Sequence, residues 1–199
     1  QGESILGVFK AIKKLRNYGK GYVSFGEPLN INQFLNQQVP DWRDAIDPIE
    51  PQKPTWLTPT VNVLANNVMA SINKSASLNP VSLIALILLT QENNTLAKNE
   101  LIKQLEFMLD IQRNAPFSDE MYIPEESAED MVAAVISLNK VEVSHDSFGQ
   151  LIGLSPSKAL EMTYYRNNIL HTYVIAAMVC RILESHSKVA EEELVTLTT

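Results

Sequence analysis

NPVSLIALILLTQENNTLAKNELIKQLEFMLDIQ, residues 79–112, decides what kind of fold this chain can make. It opens on an Asn-Pro pair. Asn79 suits a helix N-cap, because its side-chain oxygen can accept from an orphan N–H. Pro80 suits the first helical position, where the missing N–H costs nothing. The apolar run VSLIALILL follows, and LAKNELIKQLEFMLDIQ then places Leu101, Leu105, Met108 and Gln112 in line at helical spacing. The seven glycines stand at 2, 7, 19, 21, 26, 149 and 153, so none lies between Glu27 and Ser147. A stretch of that length without glycine has few of the left-handed turns that hairpins favour. It predicts helices joined by Asn, Pro and Asp turns.

Other helices flank this stretch. TPTVNVLANNVMASINK carries Val61, Leu64, Val68 and Ile72 as one stripe. Ser127-Ala-Glu-Asp reads as a capping box opening a helix to about Asn139. Residues 141–143 and 150–154 read as a hairpin around HDSFG. Ser155-Pro156 then caps one long helix reaching about Glu184. That helix is apolar on nearly every side, so it is expected to be central. Cys180, the one cysteine, is expected in the core and can form no intrachain disulfide, which fits a reducing compartment.

Upstream, residues 4–16 read as an amphipathic helix with Ile5, Val8, Phe9, Ile12 and Leu15 on one stripe. NYGKG turns the chain, and residues 22–26 alternate as a strand. Helix, turn and strand have the cadence of an α/β domain, seen here as its last unit. Residues 40–59 hold Pro40, Pro48, Pro51, Pro54 and Pro59, half of the ten prolines. This stretch reads as an extended strap pinned to the body by Trp42 and Trp56. The expected organisation is an α/β end at 1–28, a proline-rich strap at 29–60 and a truncated helical region at 61–199. The fold class is mainly α with a small β-hairpin. Helices at 79–91, 98–113 and 127–139 with a wing at 141–154 also resemble a winged-helix arrangement.

Charge narrows the function. The chain carries −7 overall, yet Lys10, Lys13, Lys14, Arg16 and Lys20 stand in its first twenty positions against one acid, Glu3. The rest is strongly acidic and a poor polyanion binder. Glu125, Glu126, Glu129 and Asp130 crowd the helix that would read DNA in a winged-helix module. The basic opening could contact an anionic surface or simply face water. No Walker A loop, G-x-G-x-x-G, H-E-x-x-H or C-x-x-C is present, and no metal site is expected.

TYYRNNILH, residues 163–171, sets an Arg, two Asn and a His inside an apolar stretch. In a continuous helix Tyr164, Asn167, Asn168 and His171 share a face, and Arg166 points elsewhere. Buried polar groups need partners. The cluster is expected to be a structural hydrogen-bond network, with a polar ligand site as the second reading. No carboxylate stands three or four residues from His171 to orient it as a base.

The phrases GKGYVSFGEPLNINQFLNQQVPDWRDAIDPIEPQKPTWLTPTVN and MTYYRNNILH, with the spacing between them, resemble bacterial membrane-associated glycerol-3-phosphate 1-O-acyltransferases across essentially the whole chain. The resemblance implies a parent enzyme that moves an acyl group from acyl-CoA or acyl-carrier protein to the sn-1 hydroxyl of glycerol 3-phosphate, the first step of phospholipid synthesis. It implies a peripheral place on the cytoplasmic face of the inner membrane, and no cofactor. The family's chemistry belongs to a His-x-x-x-x-Asp motif in which the His is the general base. Here His145, His171 and His186 are followed at that spacing by Gln150, Ala176 and Glu191. No E-G-x-R-S-R phosphate segment is present either. The expectation is a C-terminal fragment following the catalytic motifs. It would be soluble and inactive alone, serve the upstream domain of the same chain as scaffold or regulatory region, and bind no nucleic acid. The alternative is a winged-helix-like protein- or nucleic-acid-binding module.

Overall fold

The computed structural model describes residues 19–185, apart from 48, 50, 51 and 148. The amphipathic segment expected at 4–16 lies outside the described residues. Among those described there are seven α-helices, one short 3-10 turn and a three-stranded antiparallel sheet. The chain is mainly α with a small β element, as the glycine-free middle requires. It divides into two compact units. The first holds 19–23, 79–110 and 124–167, and the second 24–78, 111–123 and 168–185.

The second unit begins with α1 (Ile31–Gln38). Asn30 Oδ1 accepts from Gln33 N at 3.0 Å to cap it, and Phe34 is its buried anchor. This helix and the turns at 40–45 correct the expectation of a wholly extended strap. Trp42 Nε1 and Arg43 Nη1 both donate to Asn36 Oδ1, at 2.9 and 2.8 Å, and the Arg43 guanidinium lies 4.3 Å from the Trp42 ring centre. Trp42 therefore fixes the exit of α1. The helix α2 (Leu57–Lys74) starts inside the proline stretch. Pro59 falls in its first turn, where the N–H has no intrahelical partner anyway. Further on, Leu78 N donates to Tyr122 O and Tyr122 N to Ala76 O, both at 3.0 Å.

In the first unit, α3 (Pro80–Leu88) is buried from Ser82 to Leu88. Asn79 Oδ1 accepts from Ser82 N at 2.9 Å, so the Asn-Pro reading holds in detail. A helix apolar all round belongs at the centre, and α3 takes that place rather than the helix from Pro156. A tight turn follows, with Asn93 at φ 59° and Asn94 at φ 50°; asparagine supplies the left-handed conformation that glycine would elsewhere. It leads into β1 (Thr95–Ala97) and α4 (Lys98–Asn114). Leu101, Leu105 and Leu109 are buried, while Met108 of the expected stripe is only half-buried.

The N-cap at Ser127 forms as expected, and Asp130 Oδ2 accepts from the Ser127 hydroxyl at 2.7 Å. The Ser127 hydroxyl accepts from Asp130 N at 3.1 Å and opens α5 (Ala128–Ser137). Strands β2 (Glu142–Asp146) and β3 (Gly149–Gly153) make the hairpin. β1 adds to its far edge, giving the order β1-β3-β2 with Thr95 opposite Gly153. Sequence reading missed β1, which is three residues long. The helices α3, α4 and α5 and the hairpin follow one another in the order that the winged-helix expectation gave, with β1 inserted between the first two helices. After it, α6 (Pro156–Asn167) packs with α5's neighbour α3, and α3 also packs on α5.

Three expectations need correction. Residues 22–26 form no strand, and Val23 and Phe25 are exposed. The alternation is present, but among the described residues no strand edge pairs with it. The long helix from Pro156 is two helices, α6 and α7 (His171–Ser185), separated by a turn at 168–170. Cys180 is exposed.

Candidate functional site

The nonamer straddles the division between the units. Residues 163–167 close α6 in the first, and 168–171 open the turn and α7 in the second. The break decides what its side chains do. The i, i+4 rule that would align Tyr164, Asn167, Asn168 and His171 needs a continuous helix. Asparagine is a weak helix former, and two stand together where α6 ends.

Tyr164 is 72% exposed, and Asn167 and Asn168 are exposed too. Arg166 Nε and Nη2 donate to Asn167 Oδ1 at 3.2 and 3.0 Å, an exposed contact between neighbours in sequence. Of the five named residues the structure thus brings Arg166 and Asn167 together. His171 takes its partners within the second unit. Its Nε2 lies 3.1 Å from the carbonyl oxygen of Asn73, and its ring meets Phe117 edge to face at 5.2 Å. A carbonyl oxygen can only accept, so the ring nitrogen that faces it donates, and the contact positions the imidazole.

The best-satisfied polar group nearby is Gln112. It is 1% exposed; its Nε2 donates to Thr172 O at 2.8 Å and its Oε1 accepts from Phe117 N at 3.0 Å. Thr172, also buried, donates its hydroxyl to Ile169 O at 2.7 Å. Sequence reading placed Gln112 on an apolar stripe, and a polar residue at an apolar position was the available signal. Burial pushes the neighbouring Tyr173 phenol well above its ordinary range.

The second cluster belongs to the first unit. Lys140 Nζ donates to Glu161 Oε1 and, at 3.2 Å, to the Tyr165 hydroxyl, and it lies 5.1 Å from the Tyr165 ring centre. The hydrogen bond with Glu161 holds the Lys140 ammonium above its ordinary range. Tyr165 is therefore the member of the nonamer with a charged partner, and sequence reading passed over it. Lys20 Nζ donates to Glu126 Oε1 at 2.6 Å and lowers the Glu126 carboxyl below its ordinary range. Lys10, Lys13, Lys14 and Arg16 lie outside the described residues, as does His186. His145 sits on exposed β2 opposite Gln150. Among the described residues no three of His, Cys, Asp and Glu converge so as to hold a metal ion. No helix among them is long and apolar enough to cross a membrane.

These features define a helical region with a small sheet whose polar side chains pair partly with its own backbone and partly with one another. The family model of the glycerol-3-phosphate acyltransferase C-terminal region matches residues 1–199, and the chain belongs to that family. It is 64% identical over 195 residues to a glycerol-3-phosphate acyltransferase of Colwellia psychrerythraea, covering 98% of this chain and 24% of the relative. It is 46% identical over 179 residues to one of Pseudoalteromonas translucida, covering 90% and 22%. A third, from Shewanella halifaxensis, is 40% identical over 195 residues, covering 98% and 24%. The chain spans about a quarter of the length of these curated relatives.

Proposed function

We propose that this chain is the non-catalytic C-terminal portion of a glycerol-3-phosphate acyltransferase and braces the catalytic domain upstream of it. In this reading the whole protein moves an acyl group from acyl-CoA or acyl-carrier protein to the sn-1 hydroxyl of glycerol 3-phosphate, the first step of phospholipid synthesis. It works as a peripheral protein at the cytoplasmic face of the inner membrane. The observation that carries the reading is the family match over residues 1–199, a length that is 24% of the Colwellia relative.

One structural fact supports a bracing role. The apolar stripe of α2 is exposed at Val61 (48%), Val68 (41%) and Ile72 (58%). An exposed apolar face of this kind suits contact with another protein segment. The sheet order β1-β3-β2 favours a second reading, a winged-helix-like module that docks to protein. Glu129 and Asp130 in the first turn of α5 oppose use of that module on nucleic acid.

The test has two arms. The isolated 199-residue chain, assayed with acyl-CoA and glycerol 3-phosphate, is expected to show no turnover above background. A full-length relative with the residues equivalent to Val61, Val68 and Ile72 changed together to Ser is expected to lose activity and thermal stability in parallel. Turnover by the isolated chain would overturn the non-catalytic assignment. Unchanged activity and stability in the triple variant would overturn the bracing role.

A further inference from the structure

α7 has the sequence of a core helix and stands mostly in solvent. From Val174 to Cys180 it reads VIAAMVC, about two turns with no charged, amide or hydroxyl side chain. Its burial is confined to the start, at Thr172 and Tyr173. Beyond them Val174 (44%), Ile175 (59%) and Met178 (38%) are exposed, and so are Ala177 and Cys180. At about 100° per residue these positions spread round more than half of the helix circumference. A surface helix keeps its apolar residues on one stripe, whereas a helix apolar all round belongs inside a larger body.

The chemistry of this surface selects what covers it. A helix lying in a membrane interface sets a polar face rich in Lys and Arg against its apolar one. Here the first charged residue after Val174 is Arg181, and it is paired with Glu184 at 2.7 Å. A membrane span needs roughly 20 apolar residues, and Arg181 cuts this run after about two turns. A second copy of α7 laid alongside would meet it along one seam and leave the rest of the circumference wet. A protein groove covers a helix on more than one side. Full-length relatives have the chain to build one. This chain covers 24% of the Colwellia protein, so the larger part of that polypeptide lies outside the match.

We propose that α7, from Val174 to Cys180, is a docking helix that inserts into an apolar groove formed by the part of the same polypeptide outside this chain. Val174, Ile175 and Met178 are its anchors. Its base is held to the second unit by Gln112, whose amide donates to Thr172 O at 2.8 Å. The proposal rests on the bracing reading and adds α7 to the α2 stripe as a contact.

The test is photo-crosslinking in a full-length relative expressed in cells. Benzoylphenylalanine replaces the residues equivalent to Ala177 and Cys180, both exposed in this chain. The residue equivalent to Lys103, whose side chain is 74% exposed on α4, serves as control. Mass spectrometry identifies what each probe has joined. The α7 probes are expected to join residues of the same polypeptide that precede this chain, and the control probe to join none of them. Ile175→Arg puts a charge into the groove and is expected to cut the crosslink yield at least about tenfold. Circular dichroism of the purified variant shows whether it is folded; if it is not, the crosslink map of the unaltered helix decides. Adducts with lipid, with a second copy or with another protein overturn the proposal. So does the absence of crosslinks from both α7 probes, or an undiminished yield in a folded Ile175→Arg variant. The bracing reading fails on other measurements, turnover by the isolated chain or an unaffected α2 variant, so the two failures are distinguishable.

Discussion

Gln112 reaches Thr172 across sixty residues of sequence and holds its carbonyl oxygen at 2.8 Å, in the first turn of α7. The same side chain receives Phe117 N at 3.0 Å. One buried amide therefore satisfies two backbone groups, one just past α4 and one at the start of α7. Gln112→Leu keeps the volume near its original value but leaves both backbone groups without this partner. Each buried unpaired group costs about 1–3 kcal/mol. Thermal or denaturant unfolding is expected to show a loss of about 1–3 kcal/mol, because Phe117 N loses its partner while Thr172 O, in the first turn of α7, keeps the helical N–H four residues on. A loss under about 0.5 kcal/mol, the scale of an ordinary surface substitution, would show that the contact is not important to the fold.

Asn139 stands at φ 54° just past α5. Lys140 N donates to Val135 O and Asn139 N to Ile136 O, the bonding pattern of a left-handed helix stop. Asparagine tolerates this conformation, glycine adopts it freely and β-branched residues do not. Asn139→Gly is expected to be neutral within about 0.5 kcal/mol, and Asn139→Val to lose about 1–2 kcal/mol. Equal stability of the two variants would contradict the assignment.

Gly153 faces Thr95 across the β1–β3 pair, and a Cβ at Gly153 would come within 2.6 Å of Thr95 Oγ1. Gly153→Ala is expected to destabilise by about 1–3 kcal/mol, the usual cost of overpacking. The remaining Thr95 carbons would sit 3.4 Å away, in ordinary contact. Thr95→Ala in the same chain should therefore recover most of the loss. A double-mutant cycle in denaturant measures this coupling, and strict additivity would refute it.

Legibility followed the range over which each signal acts. The caps at Asn79 and Ser127 formed as read, because an N-cap is settled within four residues. The hairpin was visible for a similar reason, since its two strands are adjacent in sequence. β1 was not, because three residues gain strand character only from a partner more than fifty positions away. The strand expected at 22–26 failed for the converse reason: alternation without a neighbouring edge among the described residues makes an extended segment and no ladder. The nonamer was the hardest case. Its composition announced a special position, but its geometry depended on where the helix broke. With the turn at 168–170, Tyr165 turns to Lys140 and His171 to Asn73, which no face of a continuous helix would have shown.

Lys140 gives a prediction in pH. Its hydrogen bond with Glu161 raises its affinity for a proton above that of an ordinary lysine, whose value is 10.5. A folded-state value above the unfolded one means that the folded chain holds the proton more tightly. The contribution to stability is therefore fully present below the unfolded value and is lost as pH rises through the higher folded one. Lys140→Met keeps a long side chain over the Tyr165 ring but has no proton to release. The difference in melting temperature between the unaltered chain and Lys140→Met is expected to be constant from about pH 7 to about pH 9 and to shrink above about pH 10.5. Glu161→Gln removes the main cause of the shift, so this variant should lose most of that pH dependence while remaining folded. A difference that stayed flat to about pH 12 would mean that the Lys140–Glu161 pair does not couple proton binding to folding.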